Sequence, residues 1–155
     1  MARDFGKAFE AKFKEDFLKL PNSTIDRLYD TTSGYKSIKQ VSDFIGYKKP
    51  LIYYLECKTC KGASLPLSNI SQYESLCKKI GIPGVRAGVV LWLYEKDKVL
   101  YIPAATLRAL KKANEKSVGI RHLKENYPII DLPSVKKRTF MTTDYTPLLY
   151  LEEGF

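Results

Sequence analysis

The sequence predicts an α/β domain in which helices flank a mixed β-sheet, and three stretches carry that prediction. Phe5, Phe9, Phe13 and Phe17 recur every four residues with Lys and Glu between them, the pattern of an amphipathic helix. Asp43 to Lys58 reads as two strands joined by a proline turn, the second rich in aromatic and branched residues. Val85 to Tyr94 is apolar almost throughout, as befits a central strand covered on both faces.

The elements follow in chain order. Pro21-Asn22 closes the first helix. Asn22 to Gln40 is polar and reads as irregular, with a loop from Asp30 to Gly34. In the hairpin, Asp43 to Gly46 forms one strand, Tyr47 to Pro50 the connection and Leu51 to Lys58 the other strand. A turn from Thr59 to Ser64 leads to a short extended piece, Leu65-Pro66-Leu67. Ser68 or Asn69 then caps a helix carrying Ile70, Tyr73, Leu76, Cys77 and Ile80, which stops at Gly81. After the central strand, Glu95 to Lys98 turns the chain into Val99 to Ile102, and Pro103 ends that strand. Helices are expected over Ala104 to Lys112 and Ser117 to Asn126, followed by a tail that carries Lys136, Lys137 and Arg138 and ends apolar. No linker or repeat interrupts the chain, so residues 1–155 are expected to form a single domain.

Composition narrows the class. With 155 residues and 45% hydrophobic content, the chain can bury a real core. A net charge of +9 favours a polyanionic partner. The longest apolar run, Ala87 to Tyr94, is too short to span a bilayer, and the charged start lacks a secretory h-region. The expected location is therefore cytoplasmic, away from membranes. Cys57, Cys60 and Cys77 are an odd set that suits reduced thiols. Cys57 and Cys60 have C-x-x-C spacing, but zinc needs four ligands and only Cys77 and His122 remain to supply them. His122 has no evident nucleophile or base partner, and Gly81 to Gly84 lacks the lysine of a phosphate loop.

The hairpin holds the strongest chemical signal. A four-residue connection sets Asp43 opposite Tyr54, with Glu56 one diagonal step away on the same face. Diagonal neighbours lie roughly 7–8 Å apart, close enough for two carboxylates to share one ion. Lys58, two residues beyond Glu56, shares that face. Two acids and a lysine make poor core but a good cradle for Mg²⁺ and a phosphodiester. Glu10 sits beside the apolar stripe of the first helix, where a solvated acid is the ordinary reading. Arg27, Lys36 and Lys39, set among tyrosines in the polar stretch, and Lys61 beyond the hairpin are candidate DNA contacts.

The segments D-F-I-G, L-E-C-K-T and S-L-P-L-S-N-I followed by a Gln resemble the RecU-type Holliday junction resolvases of the PD-(D/E)XK nuclease superfamily. The resemblance covers Asp43 to about Gln72 well, and Gly6 to Arg27 and Val89 to Leu110 more thinly. It implies a restriction-endonuclease-like core and a homodimeric endonuclease, dependent on Mg²⁺ with Mn²⁺ as a substitute, that cuts four-way DNA symmetrically. It further implies Asp43 and Glu56 as metal ligands, Lys58 as the transition-state or water-positioning lysine, Gln72 as the helical residue completing the metal site, and Glu10 as the acid of the first helix. Three departures stand out. Val41 replaces a threonine of the family, so Ser42 is the hydroxyl left nearby. Gln72 comes two residues early, which makes Glu74 a substitute. Tyr29 to Val41 leaves room only for a short stalk, as in a compact phage-borne relative. Two alternatives share these features: a nuclease of the same superfamily acting on duplex, flaps or ends, and a non-catalytic basic nucleic-acid-binding module.

Overall fold

The computed structural model describes residues 4–29, 31–33, 36–38 and 40–152, with backbone alone at 31–33 and 36–38. Lys39 lies outside the described residues, and Lys36 falls where only backbone is described.

The phenylalanine repeat forms helix α1, Phe5–Phe17. The side chain of Asp4 accepts the Lys7 amide at 3.1 Å and caps its start, and Asn22 leaves its end in a left-handed conformation. The polar segment that follows is not irregular. It contains strand β1, Thr24–Arg27, and the strands β2, Thr31–Ser33, and β3, Lys36–Ile38, which pair with each other. β1 was illegible because it is an edge strand of four residues, and only Ile25 is buried.

Strands β4, Phe44–Lys48, and β5, Leu51–Cys60, form the expected hairpin, but in a different register. Lys48 pairs with Leu51 across a two-residue turn, Lys49-Pro50. The pairing is thus two residues longer than a four-residue connection allows, and continuing it beyond Phe44↔Leu55 sets Asp43 opposite Glu56, not Tyr54. A shift of two preserves every side chain's face, because side chains alternate with period two.

The chain continues through β6, Ser64–Pro66, a 3-10 turn at Leu67–Asn69 and a short helix α2, Tyr73–Cys77. The cap of α2 is Gln72 rather than Ser68 or Asn69, because the 3-10 turn uses those residues first. Gly81 follows at φ +81, a conformation that favours glycine. β7, Val85–Leu93, runs parallel to β5, and β8, Lys98–Pro103, returns antiparallel to β7. Helix α3 spans Ala104–Lys112 as expected. The helix expected from Ser117 is instead a short strand β9, Ser117–Gly119, paired with β6, and a 3-10 helix, Ile120–Lys124. Gly119 permits this pairing, since a Cβ there would sit 2.0 Å from the Ala63 carbonyl oxygen. β10, Ile130–Asp131, adds to β8, and β11, Ser134–Lys137, pairs with β12, Phe140–Thr143.

The main sheet has six strands in the order β1-β4-β5-β7-β8-β10, mixed in direction through the single parallel pair β5–β7. Alternation sorts it into two apolar layers. Phe9, Phe13 and Phe17 of α1 pack on Phe44, Tyr53, Leu55, Cys57, Val90 and Trp92. The other face sets Leu76, Leu107 and Leu110 of α2 and α3 against Val89, Leu91, Leu93, Leu100 and Ile102. The result is an α/β fold with helices on both faces of a mixed sheet, as the sequence predicts. Among the described residues, no helix is long and apolar enough to cross a membrane.

Candidate active site

The site forms where the ladder between β4 and β5 ends. Asp43 precedes the first residue of β4, and its Oδ2 accepts the Cys57 amide at 2.9 Å. That bond ties the acid to the strand bearing Glu56. Neighbours directly opposite in an antiparallel pair bring their Cβ atoms to roughly 4.5–5.5 Å, closer than the diagonal the sequence suggests. The two carboxylates therefore converge.

Glu56 is only 2% exposed. It shares its sheet face with Tyr54 and Lys58 and pairs with Val89 of β7, beside the α2/α3 layer. Oε1 meets Lys58 Nζ at 3.3 Å, whereas Oε2 is buried with no hydrogen-bond partner. Burial first, and the facing Asp43 second, push the Glu56 carboxyl up to about 7, while Lys58 and the Asp43 amide partly offset them. A buried carboxylate oxygen without a partner is costly.

Glu10 reaches this edge from α1 through an intermediary. Arg27 of β1 donates from Nε to Glu10 Oε2 at 2.9 Å, and its Nη1 lies 3.5 Å from Asp43 Oδ1. Nη1 also donates to the Asp43 carbonyl at 3.1 Å and to the Leu28 carbonyl. Arg27, expected as a DNA contact, is the cation between two acids. The missed signal was β1 itself, which carries Arg27 opposite Phe44, one residue from Asp43.

The remaining expected residues are placed as follows. Gln72 is half-buried at the start of α2, and its Oε1 accepts from Ser71 at 2.5 Å; no hydrogen bond joins it to Asp43 or Glu56 among the described residues. Glu74 lines a groove between α2 and α3 together with Lys111. Ser42 is buried and donates to the Phe44 carbonyl at 2.8 Å, so its hydroxyl is not offered to the acids. Lys61 is exposed, 3.9 Å from Glu95. Cys57 points into the α1 layer, where burial, reinforced by Asp43, Glu10 and Glu56, raises its thiol well above the ordinary value. His122 is fully buried, its Nδ1 accepting the Gly119 amide at 3.1 Å. Among the described residues, no group of three or more His, Cys, Asp or Glu gathers as a metal cluster.

The fold is shared with a junction resolvase. The solved structure is Hjc from Archaeoglobus fulgidus, a Holliday junction resolvase from an archaeal hyperthermophile. It aligns at a TM-score of 0.56 and 18% sequence identity, covering 75% of this chain and 89% of the resolvase. No family model matches the chain, and no curated protein matches its sequence. At this identity the archaeal resolvase establishes the fold, and the roles of individual residues rest on the geometry above.

Proposed function

We propose that this protein is a Mg²⁺-dependent, structure-selective DNA endonuclease that resolves four-way junctions by paired nicks, acting as a homodimer in the manner of the RecU-type resolvases its motifs resemble. The observation that carries the proposal is the meeting of Asp43 and Glu56 at the open end of the hairpin, with a buried, unpartnered Glu56 Oε2 and Lys58 alongside. The shared fold with an archaeal junction resolvase and the net charge of +9 support it.

The donor set fits a hard dication. Asp43 and Glu56 offer carboxylate oxygens, and their mutual repulsion in a buried setting is the field that a divalent cation relieves. When bound, the cation neutralises charge at a scissile phosphate and makes water a better nucleophile. The chain's own residues do the rest. Lys58, three-quarters buried, holds a positive charge 3.3 Å from Glu56 and is placed to orient the attacking water or to balance charge on the phosphate. Arg27 holds Glu10 and Asp43 at fixed separation, which makes it a positioning residue. Gln72 and Glu10 lie at the margin, the first on a helix cap and the second through Arg27.

Asp43→Asn and Glu56→Gln should each abolish Mg²⁺-dependent cutting of a synthetic four-way junction and leave its binding in EDTA intact. Cutting that survives both changes would remove the assignment. Running matched duplex and flap substrates beside the junction separates a resolvase from a nuclease of other specificity. Salt-sensitive binding without turnover on any substrate would leave a binding module.

A further inference from the structure

Beyond the acidic pair, a groove of about 440 Å³ opens at the C-terminal ends of β5 and β7, under the β11–β12 hairpin. Its volume lies within the range of small-molecule sites, roughly 300–1,000 Å³. Its wall is aromatic: Trp92 and Tyr94 from the end of β7, Phe5 from the start of α1 and Phe140 from β12. Phe5 and Tyr94 stack in parallel at 4.1 Å, Trp92 sits edge-on to both, and Phe140 is 39% exposed.

The rim is basic. Lys61 closes one side, and Lys136 and Arg138 of the hairpin close the other. Two acids also line the groove, but each is engaged, Glu95 with Lys61 at 3.9 Å and Asp97 with Lys136 at 3.1 Å. The side chains of Lys137 and Arg138 at the hairpin turn are exposed and make no hydrogen bond or ion pair among the described residues; Arg138 lines the groove and Lys137 adjoins it. Surplus positive charge around an aromatic wall complements an anion that carries flat rings. Duplex DNA offers the anion but hides its ring faces in the stack, whereas an unpaired strand offers both.

From this we infer that the groove is a binding site for single-stranded nucleotides, with bases against the aromatic wall and phosphates against the Lys137–Arg138 turn. Lys61 lies three residues beyond Lys58, roughly 10 Å along extended chain, with the groove on the α1 face of the sheet and Lys58 on the other. The inference rests on the nuclease reading for its substrate but not for its test. The base-stacking wall reads unpaired nucleotides, as found where paired arms open at a branch.

The test uses a single-stranded oligonucleotide carrying one 2-aminopurine and a blunt duplex of the same length, both titrated in EDTA. The single strand should bind with saturable quenching of 2-aminopurine, and the emission of Trp92, the single tryptophan, should change with the same midpoint. Lys137→Glu with Arg138→Glu should weaken single-strand binding about tenfold or more, and Phe140→Ala should remove the quenching. Both changes lie on an exposed turn or rim, and the Lys137→Arg, Arg138→Lys pair should restore binding. Equal losses for duplex and single strand, or binding that leaves both fluorophores unchanged, would overturn the inference. Quenching by a parent protein that cuts no substrate in Mg²⁺ would keep the groove while the nuclease reading falls.

Discussion

Glu56 makes the residue-scale case most sharply. It is a carboxylate whose surroundings favour its neutral form, with burial ahead of the repulsion from Asp43. The folded protein holds this proton up to about pH 7, whereas an unfolded Glu releases it near 4.5. Between those limits the folded state binds more protons than the unfolded state, so stability falls as pH rises through the window. The lost stability is on the order of 3 kcal/mol once both forms are ionised. Glu56→Gln removes the titration, so in EDTA its thermal midpoint relative to the parent should rise between pH 5 and pH 8.5. Mg²⁺ should stabilise the parent at pH 8.5 and leave the variant unmoved. A parent whose metal-free midpoint is flat from pH 5 to 8.5 would show that Glu56 is not held in this way. At this scale the sequence named Asp43, Glu56 and Lys58, because clustered acids on one strand face have no place in a core. It did not reveal that Arg27 pairs with Glu10 and Asp43, since a basic residue among tyrosines looks the same whether it meets phosphate or two carboxylates.

Among the elements, α1 and the β4–β5 hairpin depend on each other. α1 carries Glu10 and packs its phenylalanine stripe on the face opposite Glu56. Phe13 lies wholly buried, edge-on to Phe44 at 5.0 Å and to Tyr145 at 5.1 Å. Phe13→Ala should cost about 3–5 kcal/mol by urea denaturation, the range for emptying a buried aromatic site. A loss below 1 kcal/mol would mean that α1 is not seated as described. Phe17 crosses the hairpin where Gly46 leaves room, a Cβ there meeting its ring at 3.1 Å. Periodicity was enough to find α1, α3, β7 and β8. It found α2 but overran its bounds, and it failed for β9, which is too short to show a period and takes its form from its neighbours.

On the scale of the whole molecule, the C-terminal segment is sewn to the central strands. Tyr53 of β5 donates to the Leu148 carbonyl at 2.7 Å, and buried Arg86 of β7 donates to the Leu151 carbonyl at 2.9 and 3.2 Å. Burial raises the Tyr53 hydroxyl to about 12, so it remains a donor at any ordinary pH. Tyr53→Phe keeps the ring and removes the bond, and should lower stability by about 1–2 kcal/mol, read as a shift in urea midpoint with the slope unchanged. An unchanged midpoint would show that the tail contributes nothing through this contact.

Local pattern determined the fold class and the faces of the hairpin and central strands, and it set Asp43 and Glu56 on one face, because alternation with period two and helical spacing are properties of the chain alone. Register was another matter. Whether Asp43 faces Tyr54 or Glu56 depends on how many residues the turn consumes, and both choices bury the same side chains. Tertiary pairing made that choice, just as it brought Arg27 between Glu10 and Asp43 from three separate segments. Contacts between distant residues leave no period in a sequence, so only the folded chain could set those distances.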